Sequence, residues 1–145
     1  MNKHFFNLAR AESYKATYTG YSAVKIGCVA VYKNGIIAKG HNSNKTSTTQ
    51  YLYNKYRYDT NGKKYFPSLN HAETEVYRKI RYLDIDFSKV SIYLYRETRN
   101  KKIALSRPCA SCLKMLQNLG IKNIYYTTNL GYAHEIIGDI NDRYI

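Results

Sequence analysis

Short apolar runs alternate with polar stretches along the chain, and their period changes several times. Phe5, Leu8, Ala9, Glu12 and Ala16 recur at three-to-four spacing, which predicts an amphipathic helix over 5–16, ended near Gly20 and laid across one face of a sheet. "KIGCVAVYKNGIIAKGHN" then reads as two strands, Lys25 to Tyr32 and Ile36 to Gly40, joined at Asn34-Gly35, a pair suited to the left-handed backbone of a tight hairpin. Cys28 falls inside the first apolar run, where a small buried core residue is expected. From Ser43 to Leu69 the periodicity dissolves into a polar, tyrosine-rich insert in which Lys45, Lys55, Arg57, Lys63 and Lys64 face only Asp59. A connection this long inside a compact domain is usually functional or mobile.

Regular patterning resumes at "HAETEVYRKIRYL", a helix with Asn70 as its expected N-cap and Ala72, Val76 and Ile80 on one apolar line. "KVSIYLYRE", Lys89 to Glu97, is rich in β-branched and aromatic residues and reads as a strand. After a polar turn, "CASCLKMLQNLG" predicts a helix with Leu113, Leu116 and Leu119 inward and Gly120 at its end. "IKNIYYTTN" is a further strand, while "AHEIIGDINDRYI" is too short and mixed to assign. The order strand, strand, helix, strand, helix, strand predicts an α/β sandwich with helices on both faces of the sheet.

The chain has 145 residues, which suits one domain over 1–145. Its beginning has neither the apolar core of a signal peptide nor a membrane-length apolar run, so a cytoplasmic protein with no membrane partner is expected. Three cysteines are too few for a disulfide scaffold, and a C-x-x-C pair in a reducing compartment more often binds metal or does redox chemistry. The formal net charge of +13 suggests a polyanionic or phosphate-bearing partner. Enrichment in Lys, Asn, Ile and Tyr together would also follow from AT-rich coding sequence, so part of that charge has a compositional explanation.

Four residues ask to be read together: His71 and Glu73 at the start of one helix, Cys109 and Cys112 at the start of the next. Backbone N–H groups at a helix start favour thiolate over thiol, and Pro108 is well tolerated there. Alone, the two thiols would fit a redox pair as well as a metal. With His71 they make three ligands of a tetrahedral zinc site, leaving one position open for water, as catalytic sites do. Glu73 would then reach that water and carry its proton to a substrate nitrogen. A zinc-stabilised binding module would have no need of that carboxylate.

"HAE" at His71 to Glu73 and "PCASC" at Pro108 to Cys112 resemble the signature of the zinc-dependent cytidine and deoxycytidylate deaminase superfamily. The opening hairpin, which ends at Gly40-His41-Asn42, looks like that of the deoxycytidylate type, so the resemblance runs from about Phe5 to Tyr126. It implies a three-layer α/β/α sandwich around a mixed sheet of about five strands. It also implies one Zn²⁺ per chain on His71, Cys109 and Cys112, proton shuttling by Glu73, and substrate contacts at Asn42, Ala72 and Ser106. The implied reaction is hydrolysis at C4 of a cytosine ring, giving uracil and ammonia. Ser43 to Leu69 contains no Cys or His, so a second metal is not expected there.

Two substrate classes follow. The hairpin resemblance favours a free pyrimidine nucleotide of the deoxycytidylate kind. The interleaved tyrosines and cations of "YLYNKYRYDTNGKKYF" suit single-stranded DNA or RNA, whose bases stack on aromatic rings while cations track the backbone. Purine deamination is a further option on this fold. Members of the superfamily often assemble, and the many tyrosines could cover an interface, so a homo-oligomer is expected.

Overall fold

The computed structural model describes residues 2–16, 24–56 and 69–138. The predicted helix end near Gly20 lies outside the described residues, as do Arg57, Asp59, Lys63 and Lys64 of the insert and the last part of the C-terminal stretch.

Among the described residues, five strands form one mixed sheet: β1 (Ile26–Tyr32), β2 (Gly35–His41), β3 (Ser91–Arg96), β4 (Asn123–Thr128) and β5 (Gly131–Ile136), ordered β2-β1-β3-β4-β5. β1 is antiparallel to both β2 and β3, β3 and β4 are parallel, and β4 and β5 are antiparallel. The helices are α1 (Lys3–Ser13), α2 (Thr48–Tyr53), α3 (Ala72–Ile80) and α4 (Ala110–Leu119).

The period-two alternation of strand side chains divides the core into two layers. Cys28, Ala30, Ile92 and Leu94 face one way and pack with Val76 and Ile80 of α3 and Leu113 and Leu116 of α4. Val29, Val31, Tyr93 and Tyr95 face the other way and meet Phe5, Phe6 and Ala9 of α1. This is the three-layer α/β/α sandwich around five mixed strands that the sequence led us to expect. Cys28 is fully buried, in keeping with a core role. None of the helices among the described residues is long and apolar enough to cross a membrane.

Several boundaries differ from the sequence reading. The hairpin turns on Lys33 and Asn34, at φ 52° and 62°, and Gly35 already pairs with Tyr32 as the first residue of β2. The turn therefore sits one residue earlier than Asn34-Gly35, with both central residues left-handed as a tight hairpin demands. α1 starts at Lys3 and buries Phe6 completely, in place of the half-buried Leu8. The N-cap of α3 is His71, not Asn70. β5 fills part of the unassigned C-terminal stretch.

The described part of the insert, 43–56 and 69, is also more regular than its polar composition suggested. Ser47 caps α2 by accepting a hydrogen bond from Gln50 N, and a 3₁₀ turn, Asn54–Tyr56, follows. Its two ends are tied together: Ser43 N donates to Asn70 O at 3.0 Å, Asn70 N donates to Lys45 O at 2.9 Å, and Thr46 bridges Leu69. The insert thus leaves the core and returns at one point, immediately before α3.

Candidate metal centre

α3 and α4 both begin beyond the sheet end at which β2 and β3 terminate, the edge where open α/β sheets bind ligands. Each opens on a residue with extended backbone and no capping side-chain bond: His71 (φ −86°, ψ 160°) and Cys109 (φ −68°, ψ 168°). Ser, Thr, Asp or Asn would ordinarily stand there and bond back to the helix amides. Here both side chains are turned toward each other instead. Pro108 stands one residue before the cap.

Gly40 of β2 sets how closely α3 approaches. A Cβ at this position would lie 2.7 Å from Ala72 O and 2.9 Å from Glu75 Cβ, so only glycine lets the first turn of α3 rest on the strand. His71 and Glu73 are carried on that turn.

His71, Cys109 and Cys112 offer ligand atoms that all lie within 4.8 Å of one another. His71 Nδ1 is 3.7 Å from Cys109 Sγ and 3.4 Å from Cys112 Sγ. The N···S edge of a tetrahedral zinc site is about 3.5 Å, given bond lengths near 2.0 and 2.3 Å. The charge balance agrees. A hydrogen bond from Cys112, helped by His71 and Ser111, holds the Cys109 thiol down to about 3. Cys112 is pushed well up, by its bond to that sulfur and by burial. Protein groups alone thus support one thiolate easily and resist a second, and a dication is what would let both sulfurs ionise.

Glu73 is buried, and burial raises its carboxyl above the ordinary range, with the Cys109 charge adding and His71 opposing. A carboxyl in this condition exchanges its proton nearer neutral pH than an exposed one does.

The other sequence-predicted residues, Asn42, Ala72 and Ser106, contact the neighbouring backbone. Asn42 follows β2, accepts from Ile26 N at 2.8 Å and donates to Val24 O at 2.9 Å, which fixes the chain entering β1. Ala72 is buried at the start of α3, with its carbonyl against Gly40. The Ser106 hydroxyl lies 2.8 Å from Thr127 Oγ1 and 3.2 Å from Leu94 O, clamping the ends of β3 and β4 just before the cysteines. Arg107 then reaches across to β5, donating to Glu135 from Nε at 2.9 Å and from an NH2 group at 3.0 Å.

Sequence reasoning missed Gln50, Thr74 and Ser111, which connect α2, α3 and α4 beneath the site. One signal was available: Ser47-Thr48-Thr49-Gln50 has the S-x-x-Q form of a capping box, which marks a helix start inside the insert.

Fold and cluster together define an α/β protein with, among the described residues, one cluster suited to a mononuclear metal site. The family model for the cytidine and deoxycytidylate deaminase zinc-binding region matches residues 1–128, and the chain belongs to that family of hydrolases acting on C–N bonds. The His71, Cys109 and Cys112 cluster fits the family's zinc site. Among solved structures, cytidine deaminase from Burkholderia pseudomallei is similar at TM-score 0.61 and 20% identity, covering 94% of each chain. The dCMP deaminase of cyanophage S-TIM5, in complex with dCMP and dUMP, is similar at TM-score 0.54 and 19% identity, covering 86% of this chain and 78% of that one. Cytidine deaminase from Mycobacterium leprae follows at 0.53 and 17%, covering 92% and 93%. At such identities these likenesses concern the fold. No curated protein sequence matches the chain.

Proposed function

We propose that the chain, taken as one deaminase domain over 1–145, converts the cytosine of a deoxycytidylate-like pyrimidine nucleotide to uracil with release of ammonia. The observation that carries this reading is the convergence of His71, Cys109 and Cys112 within 4.8 Å, with buried Glu73 on the same helix turn as the histidine. Zinc, when bound there, supplies a Lewis acid that makes water nucleophilic at neutral pH. Glu73 takes one proton from the water that attacks C4 and gives it to N3, then carries the second from the new hydroxyl at C4 to the departing amino group. The balance is one water consumed, one C–N bond broken, one C=O bond formed and one ammonia released. In this reading the substrate passes Asn42, Ala72 and Ser106, and Asn42 and Ser106 act through the backbone groups they hold. The net charge of +13 suits a phosphate-bearing substrate, as does the dCMP and dUMP complex of the cyanophage relative.

A second reading, single-stranded DNA or RNA, has its own observation. Tyr53, Tyr56 and Tyr77 form a ring cluster with centroids 6.0 and 6.1 Å apart, and Lys55, Lys114 and Arg81 stand over its rings at 5.3, 5.6 and 5.7 Å. Alternating rings and cations of this kind accept stacked bases and phosphates. Ammonia release from dCMP, CMP, deoxycytidine, cytidine and cytosine-containing oligonucleotides, assayed side by side, separates the readings. Turnover of the monophosphates supports the first and turnover confined to oligonucleotides supports the second. No turnover of any of them would refute both.

A further inference from the structure

We propose that Gln50 is a positioning residue that turns the Ser111 hydroxyl onto the Cys109 sulfur and thereby tunes that sulfur as a metal ligand. The inference rests on the zinc reading above, and it assigns part of the insert to the metal centre.

Gln50 is completely buried although it lies on a short helix in a polar segment. Thr74 Oγ1 donates to its Oε1 at 2.6 Å, while its Nε2 donates to Asn54 Oδ1 at 2.8 Å and to Ser111 Oγ at 3.0 Å. The 2.6 Å separation is an O–H···O length, which sets the carbonyl end of the amide toward Thr74 and the NH₂ end toward Asn54 and Ser111. The direction of the next bond follows. Ser111 has one hydroxyl hydrogen, its oxygen accepts from Gln50, and Cys109 Sγ lies 3.0 Å away. A thiolate only accepts, so the hydroxyl hydrogen points at sulfur. The chain of donors runs Thr74 to Gln50 to Ser111 to Cys109, linking α3, α2 and α4 and ending on a ligand atom.

A hydrogen bond onto a thiolate spreads its charge and fixes its lone pairs, so Ser111 orients Cys109 and moderates its donation to a metal. By donating to the Ser111 oxygen, Gln50 holds the hydroxyl in the rotamer whose hydrogen meets the sulfur. Without it, the hydroxyl could rotate away from the sulfur.

Zinc affinity, measured on the full chain by competition with a chromophoric chelator, tests this with Ser111→Ala, Gln50→Met and the double variant. Ser111→Ala should weaken zinc about tenfold, the low end of the usual outer-shell effect. Gln50→Met keeps the volume and should give a similar or smaller loss. The double variant should be no weaker than Ser111→Ala alone, because Gln50 acts through Ser111. Cobalt substitution adds a second readout: the thiolate-to-cobalt band should move in both single variants. Unchanged affinity in Ser111→Ala, additive losses in the double variant, or a Gln50→Met protein with lower Tm and an unmoved cobalt band would each overturn the proposal. Should Gln50→Met fail to fold, Gln50→Glu takes its place: the carboxylate accepts from Ser111 and draws the hydrogen off the sulfur, and zinc affinity unchanged by that swap counts equally against the proposal. Failure of the unaltered chain to bind zinc would instead refute the function proposed above.

Discussion

Replacing Gly40 with alanine should damage the metal centre from behind, without touching a ligand. The added methyl would sit 2.7 Å from Ala72 O, 2.9 Å from Glu75 Cβ and 3.2 Å from Val76 Cγ2. Two of these three atoms belong to the backbone or the Cβ of the first turn of α3, so no side-chain rotation relieves the clash. Restoring an ordinary contact of 3.4 Å to Ala72 O requires about 0.7 Å of separation between β2 and α3. Overpacking of this kind costs about 1–3 kcal/mol, which for a domain of this size is roughly 3–10 °C in Tm. His71 and Glu73 ride on the displaced turn, and a misplacement approaching 1 Å in a reacting constellation costs on the order of tenfold or more in rate. Gly35, on the same strand, is the control: its nearest obstacle is Tyr32 O at 3.6 Å, so Gly35→Ala should stay within about 0.5 kcal/mol of the unaltered protein. Thermal unfolding and zinc titration of both variants check this. If Gly40→Ala matches Gly35→Ala in Tm and in zinc affinity, the claim that close strand–helix contact positions the site is wrong.

Glu97 links α1 to the end of β3 and should report on acid stability. Burial alone would raise its carboxyl, but the Tyr14 and Tyr95 hydroxyls, together with Arg10 and Lys101, hold it below the ordinary range. A lowered folded-state value means stability that is present above the unfolded-chain value near 4.3 and is lost as pH falls through the folded value. Glu97→Gln should therefore lower Tm at pH 7 and lose less further Tm between pH 6 and 3 than the unaltered protein; parallel acid curves would contradict this. Cys28 is fully buried in one core cluster with Ala30, Leu94 and Val76 and is not a member of the ligand cluster. Cys28→Ala should cost about 1 kcal/mol in denaturant unfolding and leave zinc stoichiometry at one per chain, whereas loss of zinc would show that its thiol is a ligand.

What could be read from sequence follows from how local each determinant is. His71, Glu73, Cys109 and Cys112 were legible because the chemistry requires those residue types at short fixed spacings on two helix starts. The strands of the core were legible because Cys28 to Val31 and Ile92 to Tyr95 are apolar on both faces, as a sheet covered by helices on both sides demands. β5 was not, because the edge strand carries no such pattern. Its most exposed positions include Tyr132 and Ile136, while Ala133 and Glu135 are the less exposed ones. Lys33 has no strong turn preference, so the hairpin was placed one residue late; hydrogen-bonded register, not residue type, decides that position. Gln50 was hidden for a different reason. Its meaning lies in Thr74 and Ser111, which come from other helices and meet it only after folding.

In the proposed reaction a metal held by His71, Cys109 and Cys112 works with Glu73 to remove an amino group from a cytosine ring. Ammonia release from dCMP by the zinc-loaded chain and by Glu73→Gln, with zinc content measured in both, tests it most directly. Each protein should hold one zinc per chain, and deamination should be slowed by about 10²–10⁴-fold in the variant, the usual contribution of a positioned proton carrier. Equal turnover by the two proteins, or turnover that persists in the unaltered chain after its zinc has been stripped, would contradict it.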